Sequence, residues 1–183
     1  RSKFVRLAEL IEDVQIKSKY TSTNTPVVTL PLEYKSLWEQ RTDPEFRNAF
    51  HYLAKRGITL TDILKYRIGY CDTGQYEGKI IIPSYDDAAN LNYFVARAYY
   101  KDDTLKYKNP SISKNVVGFE LHVDWKQPIV LVEGVFDAIA IRRNAIPLFG
   151  KTISDVLKLR LVEKSVKHIY ICLDQDARKQ ALE

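Results

Sequence analysis

Acidic residues follow two apolar segments of the sequence at the points where those segments end. Glu133 comes directly after the apolar run at 129–132, and Asp174 and Asp176 come directly after the run at 168–173. Carboxylates gathered at one place repel one another, and a divalent cation removes that repulsion. Mg²⁺ prefers hard oxygen ligands and keeps water and phosphate oxygens in its remaining positions. These residue types therefore favour metal-dependent chemistry on a phosphate-containing substrate.

The segments that would position these carboxylates alternate between strand and helix patterns. Alternation of this kind predicts a parallel sheet with right-handed crossovers, in which the carboxyl ends of all strands share one edge. Glu133, Asp174 and Asp176 would then meet at that edge. We predict strands at 128–132, 146–149 and 168–173, and helices at 135–144, at 153–164 and from about 176.

Either acidic motif alone has a simpler explanation. A glutamate at a strand end can be an exposed residue, and an Asp-x-Asp can cap a helix. Both motifs on matching strand ends favour the metal site instead. Asp137 lies four residues after Glu133, on the first turn of the next helix. Its charge suits the helix dipole and could also reach the metal edge, so both roles stay open.

The first part of the chain has a different pattern. Residues 1–18 have the apolar periodicity of a helix, and the Thr/Pro-rich residues 19–31 are typical of a linker. A second helix should begin after Asp43 as N-cap, with Pro44 at its first position, and end at Gly57. A short helix capped by Thr59 and Asp62 should follow.

Basic and aromatic residues are interleaved in the segment after these helices. Strands at 79–83 and 91–100 should form an antiparallel pair, with a third short strand at 105–109. Cations that hold phosphates beside rings that stack on bases suit single-stranded nucleic acid, although a solvated hairpin with aromatic cross-strand pairs has the same pattern. The cations are Arg97, Lys101, Lys106, Lys108 and Lys114, and the rings are Tyr93, Tyr99, Tyr100 and Tyr107.

Composition limits the remaining classes of function. The net charge of +5 fits a polyanionic partner without establishing one. Cys71 and Cys172 form no Cys-x-x-Cys pair, which excludes a zinc ribbon within this chain. No apolar run approaches the roughly 20 residues of a membrane-spanning helix. FGKTIS at 149–154 is not a phosphate loop, because Ala145 stands where its first glycine is required; Lys151 could still contact a phosphate.

The quoted motifs resemble those of a known family. LVEGVFDAIAI with the later Asp-x-Asp resembles the TOPRIM domain of DnaG-type primases, topoisomerases, OLD-family nucleases and RecR proteins. Three upstream stretches favour the primases: YLAKRGIT…ILKYRIGYC at 52–71, KIIIPSYDD followed by a strand with Arg97, and LKYKNPSISKNVVGFE at 105–120. Their order and spacing agree from about residue 44 to 183, and the similarity is greatest to phage-type members.

The resemblance implies an α/β fold and a set of site residues. An α+β N-terminal subdomain would precede a TOPRIM Rossmann-like parallel sheet with flanking helices. We expect an N-terminal helix and linker at 1–31, the α+β subdomain with a basic groove at 32–126, and a C-terminally truncated TOPRIM domain at 127–183. The acidic metal site would comprise Glu133, Asp137, Asp174 and Asp176, and the nucleic-acid and nucleotide groove Arg56, Arg97, Lys106, Tyr107, Asn109 and Lys114, with Lys151 added from its position.

The implied function is that of a DNA primase core, a DNA-directed RNA polymerase that makes short RNA primers. Its cofactor would be Mg²⁺ or Mn²⁺, and its partners a single-stranded DNA template, ribonucleoside triphosphates and the RNA primer. A replicative helicase would bind through regions outside this chain, in a bacterial or phage-infected host cytoplasm and without a membrane. A family zinc-binding domain is absent here, and Lys151-Thr152 follow Gly150 where primases tend to have Gly-Thr-Ser.

Two other functions remain compatible with the motifs. One is a TOPRIM nuclease or topoisomerase, although none of the 12 tyrosines stands out as the nucleophile that a topoisomerase needs. The other is a TOPRIM module that binds DNA without catalysis. The three carboxylates Glu133, Asp174 and Asp176 argue against the second, since binding alone does not require them.

Overall fold

The computed structural model describes residues 28–39 and 41–173. They form two compact units, an N-terminal unit over Val28–Ile112 and a C-terminal unit that begins at Ser113. Within those ranges, every helix is too short or too polar to span a lipid bilayer. The helices predicted at 1–18 and from about 176 lie outside the described residues. The domain boundaries expected from the motifs stay predictions.

Two capped helices lie in the N-terminal unit, as the sequence predicted. Helix α1 spans Pro44–Lys55, and the Asp43 carboxylate caps it by accepting a hydrogen bond from the Phe46 amide at 2.8 Å. Gly57 follows with a φ of 72°, a conformation that glycine adopts without steric cost. Helix α2 spans Leu60–Lys65 and begins with a capping box between Thr59 and Asp62.

The N-terminal unit also contains an antiparallel sheet, whose first strand precedes the helices and whose other strands follow them. Its strands are β1 (Lys35–Ser36), β2 (Gly69–Cys71), β3 (Lys79–Tyr85) and β4 (Leu91–Ala98), in the order β1-β2-β3-β4. The predicted β3–β4 pair is confirmed, but β4 ends at Ala98 rather than at residue 100. Tyr99 and Tyr100 follow the strand, and their hydroxyls donate hydrogen bonds to the Glu45 carboxylate of α1. The strand predicted at 105–109 is reduced to one bridge between Arg97 and Tyr107.

The C-terminal unit contains the predicted parallel sheet. Its elements are β5 (Ile129–Val132), α3 (Val135–Ile141), β6 (Ala145–Pro147), α4 (Asp155–Glu163) and β7 (Ile169–Cys172). Strand β5 lies between β6 and β7, and both pairings are parallel. Helix α4 begins after Ser154, whose hydroxyl accepts a hydrogen bond from the Leu157 amide at 3.2 Å.

Helix α3 is three residues shorter than the pattern predicted. Arg142 ends it with a left-handed φ of 51°. The Asn144 side chain then donates hydrogen bonds to the carbonyls of Asp124 and Pro128, at 2.8 and 3.2 Å. These contacts hold the chain in an extended path toward β6, because satisfied amide bonds of this kind compete with helix continuation.

Buried aliphatic residues join the sheet of the C-terminal unit to α4. Ile129 and Leu131 of β5 are fully buried and belong to the same cluster as Leu157 and Leu161 of α4. The buried Glu120 carboxylate also forms an ion pair with the Arg160 guanidinium of α4, with 2.7 Å between Oε1 and Nε. Burial of this apolar face fixes α4 against the sheet and so fixes the loop that connects it to β6.

Candidate functional site

Glu133 lies directly after the central strand of the parallel sheet. Its predecessor Val132 is paired with Pro147 of β6 and with Cys172 of β7, so Glu133 stands at the carboxyl edge of the sheet, as predicted. Its side chain is half-buried, and the atom Oε2 is buried without a hydrogen-bond partner within the described residues. A carboxylate oxygen that has lost water and gained no donor is unfavourable, and a bound cation would remove that cost.

Asp137 lies on the first turn of α3, in an exposed position. A Cβ placed on Gly134 would lie 3.2 Å from its Oδ2, so the carboxylate lies over the start of the helix, toward Gly134. Gly134 is the N-cap of α3 and has no side chain with which to cap it. The position of Asp137 on the first turn suits the helix dipole, and its role at the metal edge stays a prediction.

The other two predicted metal ligands, Asp174 and Asp176, lie outside the described residues. The pairing of β5 with β7 puts Cys172 opposite Val132, and Asp174 comes two positions after Cys172 in the sequence. Among residues 28–39 and 41–173, no group of three or more His, Cys, Asp or Glu side chains is arranged to hold a metal ion. Three carboxylates are a hard-oxygen donor set of the kind that fits Mg²⁺, but the full metal site stays a prediction.

Arg97 and Tyr107 form the centre of the predicted basic surface in the N-terminal unit. The guanidinium of Arg97 lies over the Tyr107 ring, 4.5 Å from its centroid. The Nε atom of Arg97 is buried without a hydrogen-bond partner in the described structure, while Tyr107 is 44% exposed. Lys106, next to this pair, is exposed. A cation over an exposed ring is suited to contact a phosphate and a base together.

Arg56 was predicted to join the same surface. It caps the C-terminal end of α1, is exposed, and lies over the Tyr52 ring at 4.9 Å from the centroid. Its chemistry is therefore similar to that of Arg97. Its membership of one groove with Arg97 stays a prediction.

Asn109 has a structural contact that its predicted role did not anticipate. Its Oδ1 accepts a hydrogen bond from the Ala96 amide at 3.1 Å. The backbone on either side of Tyr107 is also paired with β4, through the Lys106 carbonyl with Ala98 and the Lys108 amide with Ala96. These bonds hold the segment with Lys106 and Tyr107 against β4, so Asn109 positions the basic surface.

Two of the tyrosines expected to stack on bases are buried. Tyr93 is 0% exposed and Tyr99 is 7% exposed, and burial raises the pKa of both hydroxyls above the ordinary value. Their interpretation as a stacking surface is therefore wrong, because the chain covers both faces of β4. Tyr100 and Tyr107, each 44% exposed, are the accessible rings of this set.

Lys114 and Lys151 belong to the C-terminal unit, where they line one cavity of about 590 Å³. The Lys114 ammonium donates a hydrogen bond to the Phe149 carbonyl at 2.8 Å. We name this cavity the β6–α4 pocket. Sequence reasoning missed one of its lysines, Lys158, although its place on the first turns of α4 follows from the predicted helix. Its polar wall includes Lys114, Asn115, Lys151, Ser154, Asp155 and Lys158.

No family model matches the chain, but its sequence is similar to those of known proteins. It is 34% identical over 153 residues to the uncharacterized protein MG010 of Mycoplasma genitalium, which covers 78% of this chain and 69% of MG010. It is 27% identical over 135 residues to the DNA primase of Thermotoga maritima, which covers 65% of this chain and 24% of that primase.

Solved structures share the fold at low identity. The DnaG primase catalytic domain bound to single-stranded DNA superposes with a TM-score of 0.65 at 18% identity, covering 80% of this chain and 59% of that one. The RNA polymerase domain of Mycobacterium tuberculosis DnaG in complex with double-stranded DNA gives 0.63 at 18% identity, covering 80% and 63%. The antiparallel sheet followed by a parallel sheet with helices is thus the arrangement of this catalytic core, which confirms the predicted fold class.

Proposed function

Because the chain belongs to the family of the Mycoplasma protein MG010 and has the fold of the DnaG primase catalytic core, we propose that it joins ribonucleotides on a single-stranded DNA template. The reaction is metal-dependent nucleotidyl transfer, and its product is a short RNA primer. The chain spans 69% of MG010 and 24% of the Thermotoga primase, so this activity is proposed for the chain together with whatever accompanies it.

The observation that carries the proposal is the Oε2 atom of Glu133 at the carboxyl edge of the parallel sheet, which is buried and has no hydrogen-bond partner among residues 28–39 and 41–173. A protein seldom leaves a buried carboxylate oxygen without a donor unless a ligand completes it. The same edge leads, through β7, toward Asp174 and Asp176 in the sequence. A binding module with no chemistry gains nothing from such a carboxylate.

Glu133, Asp174 and Asp176 would hold Mg²⁺ or Mn²⁺, and Asp137 would assist from α3. When bound, the metal lowers the pKa of the attacking 3′-hydroxyl and neutralises charge on the departing pyrophosphate. Glu133 is half-buried, so its carboxylate is partly shielded from water at the sheet edge.

The basic residues position the nucleic acid. Lys106 and Arg97 contact backbone phosphates, and the exposed Tyr107 ring stacks on a base of the template. Arg56 extends the contact along α1. The single-stranded and double-stranded DNA in the two solved structures of this fold support a DNA strand as the partner. Ribonucleoside triphosphates and the RNA primer are the further partners of the reaction, and a replicative helicase stays a predicted one.

Incorporation of labelled ribonucleotides on a single-stranded template tests the proposal. Glu133→Gln and Asp174→Asn should each abolish synthesis and leave binding of single-stranded DNA within about twofold, because the removed charges contact metal and not template. Glu163→Gln, an exposed glutamate of α4, is the matched control and should keep wild-type activity. Synthesis by Asp174→Asn at the wild-type rate would refute the metal role.

Incubation with supercoiled plasmid and Mg²⁺ distinguishes the proposed primase from a TOPRIM topoisomerase or nuclease. Relaxation or cleavage without ribonucleotide incorporation would replace the primase with a topoisomerase or nuclease. A titration that detects no Mg²⁺ binding dependent on Glu133 would instead favour a DNA-binding module without catalysis.

A further inference from the structure

The β6–α4 pocket has the shape and charge of a site for a phosphorylated ligand. We propose that it binds the polyphosphate of a nucleoside triphosphate, with Lys151 and Lys158 as the residues that recognise it. The proposal rests on the function proposed above, since it assigns that reaction a place for its nucleotide substrate. Lys158 lies outside all the motifs on which the resemblance to primases depends. Lys151 occupies a position where primases tend to have threonine.

Positive charge dominates the polar wall of the pocket. The residues that line it include three lysines, Lys114, Lys151 and Lys158, and one acidic residue, Asp155. The Lys158 ammonium lies 3.6 Å from the Asp155 carboxylate, but the Asp155 side chain is 79% exposed, so water weakens the pair. Polyphosphates carry several negative charges, and ammonium groups bind them as compact point charges.

The wall of the pocket is held in place by its own hydrogen bonds. The Ser154 hydroxyl donates to the Val116 carbonyl at 3.1 Å and accepts from the Leu157 amide, and the Asn115 side-chain oxygen accepts from the Val156 amide at 3.1 Å. The Lys114 ammonium is fixed on the Phe149 carbonyl. Since the amides of Val156 and Leu157 already have partners, the lysine side chains, and not the start of α4, supply the recognition.

Size and location favour a nucleotide over an isolated phosphate. The cavity of about 590 Å³ is in the range of small-molecule sites, about 300–1,000 Å³, and is far larger than one phosphate ion needs. It opens directly after β6, and the Leu148 amide donates to the Val132 carbonyl at 2.8 Å. Val132 precedes Glu133, so the pocket begins at the sheet edge where the carboxylate stands.

Equilibrium binding of inorganic triphosphate and of ATP to the full chain, in the absence of divalent metal, tests the site. Lys151→Gln and Lys158→Gln should each weaken both ligands about tenfold, because each removes one charge-assisted hydrogen bond. Lys158→Arg keeps the charge and should retain most of the affinity. Lys164→Gln and Lys167→Gln, exposed lysines of the same unit outside the pocket, should leave affinity unchanged.

A second binding experiment uses single-stranded DNA, because its backbone phosphates could bind the same lysines as a triphosphate does. Variants that lose DNA affinity and keep triphosphate affinity would overturn the proposal in favour of a strand contact. In the synthesis assay, Lys158→Gln should raise the KM for ribonucleotides about tenfold with kcat nearly unchanged.

The two proposals fail in distinguishable ways. Triphosphate affinity that is unchanged in both Lys151→Gln and Lys158→Gln overturns the pocket, whether or not the wild-type chain makes primers. Loss of triphosphate binding in those variants supports the pocket even if the wild-type chain synthesises nothing, and that second result would then overturn the primase function alone.

Discussion

The guanidinium of Arg97 lies 4.5 Å from the centroid of the Tyr107 ring, and the two residues are also paired through the backbone bridge between β4 and the following segment. The bridge holds the Tyr107 ring next to the Arg97 guanidinium. With 44% of Tyr107 exposed, a base can stack on the ring while its phosphate approaches Arg97. The proposed contact with one nucleotide of a single strand depends on this geometry.

Tyr107→Ala should weaken single-stranded DNA binding about tenfold, because a base–aromatic stack contributes about 1–3 kcal/mol. Tyr107→Phe keeps the ring and removes only the hydroxyl, so it should bind as the wild type does. Fluorescence anisotropy with a labelled oligothymidylate measures both. Equal affinity of the alanine variant and the wild type would show that the ring does not contact the strand.

Local signals in the sequence were sufficient to predict several elements. Asp43 and Pro44 define the start of α1 because a cap and a proline at the first position act through neighbouring backbone atoms only. The alternating apolar runs likewise predicted the parallel sheet and the position of Glu133 at its edge. These inferences depend on contacts within a few residues or on a general rule of chain topology.

Other features depend on contacts distant in sequence. The early end of α3 follows from hydrogen bonds between Asn144 and the segment at 124–128, which helix periodicity does not reveal. Tyr93 is buried because the chain covers both faces of β4, whereas the interleaved cations and rings suggested an accessible stacking surface. Lys158 lines the same cavity as Lys114 and Lys151, and this relationship depends on tertiary packing that the sequence pattern does not reveal.

Lys106→Ala should weaken binding of single-stranded DNA and also flatten its dependence on salt. Lys106 is exposed beside Tyr107, and each phosphate contact that is lost reduces the release of counterions. We expect the slope of log affinity against log salt to fall by about 0.7, the value for one contact with a single strand. Titrations from low to moderate salt measure it, with Lys126→Ala, an exposed lysine of the other unit, as control. An unchanged slope would contradict the proposed contact between Lys106 and a DNA phosphate.

Asp103→Asn should lower the free energy of unfolding by about 3 kcal/mol near neutral pH, because it leaves a buried ammonium without its counter-charge. The Lys79 side chain is 6% exposed, and Asp103 is its ion-pair partner. The neighbouring exposed residue Asp102 provides the matched control, and Asp102→Asn should change stability by less than about 0.5 kcal/mol. Urea unfolding measures both differences.

The same ion pair should make stability depend on acid pH. The hydrogen bond from Lys79 holds the pKa of Asp103 below its ordinary value of 3.8. The folded chain therefore binds fewer protons than the unfolded chain, and the stabilisation is complete above pH 3.8 and is lost as the pH falls through the lowered pKa. Unfolding in urea at several pH values below 5 should show a smaller loss for Asp103→Asn than for the wild type. Equal losses would exclude Asp103 as a source of acid sensitivity.

Glu133→Gln should affect thermal stability in opposite ways with and without divalent metal. In a chelator, the variant should melt at the wild-type temperature or above it, because it removes the charge of a carboxylate whose Oε2 is buried without a hydrogen-bond partner in the part of the chain that the structure describes. With Mg²⁺ at about 100 times its Kd, the wild type should gain about 2.7 kcal/mol and the variant little. Differential scanning fluorimetry in both buffers measures this, with Glu163→Gln as control. An equal rise in melting temperature for the wild type and Glu133→Gln would mean that the metal binds elsewhere, and the carboxyl edge of the parallel sheet would then have no part in the chemistry.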